Sequence, residues 1–395
     1  MGRLRVSAEV ISLGCRLNLS ESEDIRAMLG GSSDLVVVNS CAVTLEAVRQ
    51  TRQAIRKARR AHPAARLLVT GCAAEIERDQ LAAMPEVDGL IANSAKLDPR
   101  AWNVPERATA VASQHTRAFI AVQNGCDHAC TFCVIPQGRG ASRSLTVDQV
   151  CAEVEQHCDR GTAEVVLTGV DVTSWGQDLP DRPPLGALVQ AILDRFPHLQ
   201  RLRMSSLDGI EIDPLLFELF AGERRLMPHL HLSLQHGHDL ILKRMKRRHL
   251  RGDAVALVER LRERRPDLAV GADLIAGFPT ESEEHHAANL AIVRELRIVH
   301  GHIFPYSPRP GTPAARMPQL DRPTIKQRAA ELREAVAMQR SEWLATLVDK
   351  PAVVLGERDG TGYTPGFARV ALAGGTAAGT LVEITPTTIK DGLLT

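Results

Sequence analysis

The chain reads as an α/β protein in three parts: a small parallel α/β domain, a partial TIM-like barrel of six β/α units, and a small C-terminal β module. Three observations predict this. Short β-rich apolar runs alternate with polar, helix-compatible stretches as far as about residue 308, the pattern of parallel strands joined by crossover helices. Residues 98–115 interrupt that alternation with Pro, Ala and polar residues of little periodicity, and read as a linker. Past residue 349 the pattern changes to short strands separated by glycine turns. The expected domains are therefore 1–97, 116–348 (the barrel with a trailing helix) and 349–395.

The first domain repeats one unit three times. AEVISLGC ends at Cys15, DLVVVNSC at Cys41 and RLLVTGC at Cys72. Each run is followed by a helix-compatible stretch: SESEDIRAML, LEAVRQTRQAIRKARRAH and AAEIERDQLAAM. Ligands of parallel α/β sheets bind beyond the carboxyl ends of the strands. All three cysteines fall at that edge, so they can converge into one three-cysteine site; three buried strand-end thiols are the other reading. Asn18, Glu21 and Glu23 follow Cys15. Glutamates at a helix start are ordinarily dipole-favourable, and a place near the three cysteines is the alternative.

Past the linker, Phe119-Ile120-Ala121-Val122 reads as a strand feeding a loop in which Cys126, Cys130 and Cys133 are spaced C-x3-C-x2-C. Three thiolates this close can share a metal centre. A closed zinc site usually needs four ligands, whereas a cubane iron–sulfur cluster on three cysteines keeps one iron open. A redox pair or free thiols remain as the simpler readings. Further strands are expected at EVVLTGV (164–170), RLRMSS (201–206), HLHLSL (229–234), AVGADLIAGF (269–278) and HGHIFPYS (300–307), with helices such as PLGALVQAILDRF and HHAANLAIVREL between them. Six such units predict an open barrel whose working face is at the C-terminal strand ends. Cys151 and Cys158 share one helix face and read as core. Residues 319–348 read as a long charged helix with Leu332, Ala335 and Leu344 on one side, packed across the barrel. AVVLGERDG, ARVALAG and TLVEITPT then make an antiparallel module, too short to predict independent folding.

Composition narrows the function. The 395 residues fit two or three domains, and 44% apolar content is ordinary for a soluble globular chain. Aromatics are only 3%, which argues against extensive base stacking on aromatic platforms. No run approaches the ~18 apolar residues of a membrane span, and MGRLRVSAEVISLGC is too short and too interrupted by Glu9 for a signal peptide. The expected location is the cytoplasm, with no membrane partner. In a reducing compartment, eight cysteines point to metal or catalysis rather than disulfides. Basic residues cluster twice, at Arg52, Arg56, Lys57, Arg59 and Arg60, and more densely at Lys243, Arg244, Lys246, Arg247, Arg248 and Arg251. Against a net charge of +1 these patches imply acidic surface elsewhere, an asymmetry that suits a phosphate backbone; solvated helix faces are the plain alternative.

SLGCRLN with ESE, VVNSCAVT, VTGCAAE, QNGCDHACTFCVIPQGRG, SLQHGHDLILKRMKRR, DLIAGFPTE and FPYSPRPGTPAA cover nearly the whole chain. Together they resemble the methylthiotransferases of the radical S-adenosylmethionine superfamily. The resemblance implies that Cys126, Cys130 and Cys133 hold a [4Fe–4S] cluster whose open iron binds S-adenosylmethionine and yields a 5′-deoxyadenosyl radical. It implies an auxiliary [4Fe–4S] cluster on Cys15, Cys41 and Cys72, which presents sulfur for transfer. Phe132 is expected beside the cluster or the adenine, and Gly169 in the TGV turn (168–170) near the methionine amino group. Ser205, with Ser206, is expected near the ribose or carboxylate. Gln235 is expected at the end of the fourth barrel strand, and Asp273 with the GFP turn (277–279) around the adenine. His236 stands where family members usually carry a small residue. The C-terminal module resembles the RNA-binding β-barrel of these enzymes, but GYTPGFARV lacks the polar and basic residues often found at that hairpin and does not predict a strong independent grip on RNA.

The subfamily resembled most adds methylthio to C2 of N6-threonylcarbamoyladenosine at position 37, so the tRNA anticodon stem-loop is the expected partner. An electron donor of the flavodoxin or ferredoxin type and a sulfur source are also expected. The alternatives are methylthiolation of N6-isopentenyladenosine at the same position, or of an aspartate in a ribosomal protein.

Overall fold

The computed structural model describes residues 8–30, 34–103 and 116–395. They divide into two compact units. The first unit takes 8–30 and 34–103 together with 124–143 and 307–312; the second takes 116–123, 144–306 and 313–395. The cysteine loop expected in the barrel domain thus packs with the N-terminal unit.

The first unit is built on a parallel sheet, β1 (Glu9–Ser12), β2 (Leu35–Ser40), β3 (Arg66–Gly71) and β4 (Gly89–Leu90), in that order. The apolar centres of β2 and β3 are fully buried, as near-continuous Val/Leu runs in a parallel sheet must be. Register sets Ser12 beside Asn39 and Ser40 beside Gly71, so the three expected strands end level and their cysteines leave from one edge. Helix α1 (Arg16–Leu29) starts directly after Cys15. Helix α2 (Leu45–Ala61) starts four residues after Cys41, just past Thr44, whose hydroxyl accepts the Ala47 N–H at 3.0 Å. Helix α3 (Cys72–Ile76) begins on the third cysteine, and α4 (Arg78–Ala82) follows. Strand β4 carries no sequence signal; two residues are too few for periodicity.

The expected linker is partly structured. Pro99–Trp102 forms a 3-10 turn capped by Asp98, and Trp102 is buried among Val10, Ile25, Leu29, Val37 and Leu68. Its indole donates to the Lys96 carbonyl at 2.9 Å. One large apolar side chain anchors a segment whose composition is that of a loop. Residues 104–115 of the expected linker lie outside the described residues.

In the second unit all six expected barrel strands form: β5 (Ala118–Ala121), then, beyond the two-residue strands β6 (Gln123–Asn124) and β7 (Arg143–Ser144) that bracket the cysteine loop, β8 (Glu164–Thr168), β9 (Arg201–Met204), β10 (His229–Gln235), β11 (Ala269–Ala276) and β12 (Ile298–Pro305). They make two parallel three-stranded sheets, β5-β8-β9 and β10-β11-β12, joined by a parallel bridge between Leu207 and Leu232. Helices α6 (Val147–Cys158), α7 (Leu185–Arg195), α8 (Pro214–Gly222), α9 (Asp239–Arg244), α10 (Arg251–Arg264) and α11 (Glu283–Glu295) complete the units, and α12 (Arg322–Ala345) packs along β12. One continuous core lies between strands and helices, and it includes Cys151, with Cys158 packed against it.

The C-terminal module is a six-stranded sheet from β13 (Ala352–Gly356) to β18 (Leu393–Leu394). It is antiparallel except where β15 (Arg369–Ala371) meets β18 in parallel, a departure from the expected all-antiparallel arrangement. It is seated on the amino ends of the barrel strands. Arg201, the first residue of β9, donates to the Val353 and Tyr363 carbonyls (2.5 and 3.2 Å), and Arg203 to that of Pro365 (3.0 Å). Glu164, the first residue of β8, is fully buried between Arg117, Arg201 and Arg203 at 2.9, 3.5 and 2.7 Å. Burial would raise its carboxyl, but the arginines, Arg203 foremost, outweigh it and hold it at about 2. Phe367, at φ 74°, lies under the Arg203 guanidinium and stacks on Tyr363.

Candidate functional site

The three strand-end cysteines leave one sheet edge, close enough for Cys15 and Cys72 to act electrostatically on Cys41. Gly14, at φ +95°, leaves so little room that a β-carbon there would fall 2.7 Å from the Cys41 sulfur. Cys41 and Cys72 are buried and Cys15 is exposed. Burial pushes the Cys41 thiol up to about 11, and the neighbouring Cys15 and Cys72 sulfurs push the same way. Cysteines at one sheet edge give up their protons when they take a metal, so a bound cation would hold all three sulfurs there. That donor set, with one sulfur open to solvent, fits an iron–sulfur cluster with an accessible face.

Cys126, Cys130 and Cys133 lie on the loop of the same unit, all half-buried. The backbone N–H groups of His128 and Ile135 point at the Cys126 and Cys133 sulfurs at 3.4 Å each. The loop runs into α5 (Ile135–Arg139), which packs on α3: Gly138 lies against Cys72.

A buried polar network fixes this loop. The Arg139 guanidinium donates to Glu21 at 2.8 and 3.0 Å, to the Asn18 side-chain oxygen at 2.5 Å and to the Asn124 side-chain oxygen at 2.8 Å. Lys96 donates to Glu21 at 2.5 Å, and the Asn18 amide donates to the Leu13 and Ser40 carbonyls at 2.7 and 2.9 Å. Burial would raise the Glu21 carboxyl, but Lys96 and Arg139 lower it, so it stays a carboxylate between two cations. Glu21 is therefore neither a solvated helix-start acid nor a cluster ligand; it positions the loop. Lys96 and Arg139 were missed by sequence reasoning. A charge in QGRG, immediately after three cysteines, is the only signal that could have raised the question.

The other expected residues occupy successive strand ends. Phe132 is half-buried on the cysteine loop. Gly169 follows β8 and is backed by Gln123, whose carbonyl a β-carbon would meet at 2.8 Å. Ser205 follows β9, and its buried hydroxyl has no protein partner among the described residues. Gln235 closes β10 in the left-handed region at φ 68°, a strained conformation of the kind stored at functional sites. His236 is fully buried, with Nε2 3.4 Å from Glu281. Glu281 in turn accepts the Gly277 and Phe278 N–H groups and pairs with Arg328 at 3.1 Å, so the larger side chain is accommodated by an acid from the turn after β11. Asp273, expected at a strand end, lies mid-strand in β11, with its carboxylate held by His231 and His302.

The basic clusters are mostly spent on the fold. Arg52 pairs with Glu77, Arg56 with Glu86 and Arg59 with Asp88. Arg247 and Arg248 share Asp208, Arg244 donates to Thr280, and Arg251 bonds Gly237, Ala288 and Glu295. Lys57, Arg60, Lys243, Lys246 and Arg248 stay exposed. The phosphate-binding surface expected from charge alone is thus thinner than the run of basic residues suggests. No helix among the described residues is long and apolar enough to cross a membrane.

The family model for the radical SAM superfamily matches residues 120–291, and that for the uncharacterized protein family UPF0004 matches residues 7–92. A threonylcarbamoyladenosine tRNA methylthiotransferase, MtaB, of Rickettsia prowazekii is 40% identical, over 99% of this chain and 97% of that protein. The protein of the same name from Aquifex aeolicus is 32% identical over 84% of this chain and 88% of its own length. A tRNA-2-methylthio-N(6)-dimethylallyladenosine synthase of Erythrobacter litoralis is also 32% identical, over 95% and 93%. Among solved structures, the radical S-adenosylmethionine methyltransferase TsrM from Kitasatospora setae superposes with a TM-score of 0.51 at 16% identity, covering 75% of this chain and 66% of that one. The cobalamin-dependent radical enzyme OxsB gives 0.51 at 9% identity, covering 87% and 56%. The chain spans less than two thirds of either structure, and both likenesses concern the fold alone.

Proposed function

Since the chain belongs to the radical S-adenosylmethionine methylthiotransferases, 40% identical over 99% of its length to one of them, we propose that it transfers a methylthio group to C2 of N6-threonylcarbamoyladenosine at position 37 of tRNA. The observation that carries this reading is the pair of three-cysteine sets in one folded unit, one at the sheet edge and one on a loop clamped by Arg139 and Glu21. Cys126, Cys130 and Cys133 would hold one [4Fe–4S] cluster, and Cys15, Cys41 and Cys72 the other. When bound, the clusters and S-adenosylmethionine supply one-electron cleavage of the sulfonium, a radical able to take the C2 hydrogen, and sulfur for the new C–S bond.

The chain's own residues bind and orient. Gly169 offers backbone without a side chain in the way, the unpartnered Ser205 hydroxyl offers a hydrogen bond, and Gln235 presents a strained strand end. These are the residues we assign to S-adenosylmethionine, and Phe132 we assign beside the cluster of its own loop. Arg139 and Glu21 keep the cysteine loop fixed while substrate is exchanged. An external electron donor of the flavodoxin or ferredoxin type and a sulfur source complete the cycle, and the cytoplasm, where tRNA resides, is the proposed location. The exposed Lys57, Arg60, Lys243 and Lys246 are the charges available to tRNA phosphates.

Mass spectrometry of tRNA nucleosides from a deletion strain tests the assignment. Loss of the 2-methylthio derivative of threonylcarbamoyladenosine is expected. Loss of the isopentenyl product instead would overturn it.

A further inference from the structure

Three side chains on neighbouring barrel strands meet away from the helices. Along β10 and β11, Leu230, Leu232, Leu234, Val270, Ala272 and Leu274 face the helix-packed core. Strand alternation therefore turns His231 and Asp273 to the barrel interior, and the register Asp273–His302 puts His302 on the same face of β12. His231 Nε2 and His302 Nδ1 both approach Asp273 Oδ1, at 3.1 and 3.0 Å, and the two rings lie 4.5 Å apart.

The arrangement is built. The strand neighbour of His231 is Gly271, and a β-carbon there would fall 2.3 Å from the His231 ring. Only glycine lets that ring lie across β11 to reach the carboxylate. Exposure rises stepwise along the three: the side chains of His231, Asp273 and His302 are 6%, 16% and 59% accessible. The interior is closed at the amino ends of the strands, where His300 bonds the Gly366 carbonyl and the C-terminal hairpin is seated. A ligand reaches His302 from the opposite end, on the side of Gly169, Ser205 and Gln235.

With Nδ1 committed to Asp273, His302 presents Nε2 to that ligand. It can accept a hydrogen bond there, or donate one after taking up a proton that Asp273 balances. Phe304, one step along the same face of β12, adds an exposed flat apolar surface. This is a wall for a group that is polar at its tip and planar behind it.

Resting on the function proposed above, we propose that His302, positioned by Asp273 and His231, hydrogen-bonds the polar acyl substituent on N6 of the target adenosine, and so selects N6-threonylcarbamoyladenosine over an N6-alkyl adenosine. The threonylcarbamoyl group ends in a carboxylate and a hydroxyl; an isopentenyl group has no polar atom to offer. A site built to hydrogen-bond a substrate group discriminates strongly against the analogue that lacks it, because its own polar atoms are then left unpaired.

The test uses cluster-loaded full-length protein and two synthetic anticodon stem-loops, one with N6-threonylcarbamoyladenosine and one with N6-isopentenyladenosine. Binding is read by fluorescence anisotropy and turnover by product mass. Wild type should bind the threonylcarbamoyl loop at least tenfold more tightly. His302→Ala should erase that preference and raise KM for the threonylcarbamoyl loop roughly 10–100-fold, the worth of a hydrogen bond to a charged group, with a smaller change in kcat. His302→Gln, which keeps a hydrogen-bonding tip, should restore part of it. No preference in wild type, or a preference that survives His302→Ala, would overturn the proposal. So would a stoichiometric Mn2+ signal in electron paramagnetic resonance of wild type that His302→Ala abolishes, since the triad would then be a metal site. Preference without any methylthio product would leave recognition standing and sink the activity instead.

Discussion

Arg139 donates to Glu21 across 118 positions of sequence, at 2.8 and 3.0 Å, in an environment closed to water on both sides. The arginine ends the helix that follows the Cys126–Cys133 loop, and the glutamate comes from the helix that starts directly after Cys15. One ion pair therefore fixes the two cysteine sets to a common frame. Without Arg139, Glu21 keeps only Lys96 as a buried cation and the Asn18 and Asn124 side-chain oxygens lose that donor, a change that costs on the order of 1–3 kcal/mol. Arg139→Ala should lower the thermal midpoint of the loaded protein and its iron content. Arg139→Lys should recover only part of this, because an ammonium cannot reach Glu21, Asn18 and Asn124 together in the guanidinium's planar geometry. Unchanged midpoint and iron content in Arg139→Ala would show that the clamp is dispensable.

The two cysteine sets should separate by readout. Cys130→Ala should stop both 5′-deoxyadenosine release and methylthio product. Cys41→Ala should stop the product while 5′-deoxyadenosine release continues. Product formed by Cys41→Ala would refute the assignment of the auxiliary cluster.

Gly14 makes a sharper test of the sheet-edge site, since it touches iron chemistry only through space. A methyl group there would crowd the Cys41 sulfur and would have to adopt φ +95°. Gly14→Ala should reduce iron from roughly eight to roughly four per chain, with the spectrum of the remaining cluster still perturbed by S-adenosylmethionine. Full iron loading would show that the edge adapts.

Glu164 gives a pH dependence with a definite sign. Its folded-state carboxyl is lowered from 4.5 to about 2. A depressed acid contributes stability above its unfolded value and loses it as pH falls, so the contribution, on the order of 3 kcal/mol, should fade between about pH 4.5 and pH 2. Hydrogen exchange in residues 352–394 should accelerate over that window. In Glu164→Gln it should already be fast at neutral pH and flat through the window. A variant that keeps the wild-type acid limb would place the titration elsewhere.

Cysteine position and strand alternation were readable from the chain because both are local: a run of Val or Leu closing on Cys41 or Cys72 announces its own edge. The six barrel strands, from Ala118–Ala121 to Ile298–Pro305, were legible for the same reason. What pairs across the fold was not. Lys96 and Arg139 look like any surface cations until Glu21 is found between them. The dense run from Lys243 to Arg251 looks like a nucleic-acid patch until Asp208, Thr280 and Glu295 are found to occupy its arginines. Trp102 pulled the start of a linker-like segment into the core, where one aromatic outweighs the composition around it. His302 carries no periodic signal, because its meaning depends on a glycine and an acid from the neighbouring strand.

The seating of the C-terminal sheet also bears on how the protein is made. Glu164, Arg201 and Arg203 are synthesised long before Val353, Tyr363 and Pro365, whose carbonyls satisfy the two arginines. During translation the barrel waits with a charged, unsealed base until those residues leave the ribosome. Residues 352–394 act as a latch, and a molecule that lacks them keeps Cys15, Cys41, Cys72, Cys126, Cys130 and Cys133 while the base of its barrel stays open.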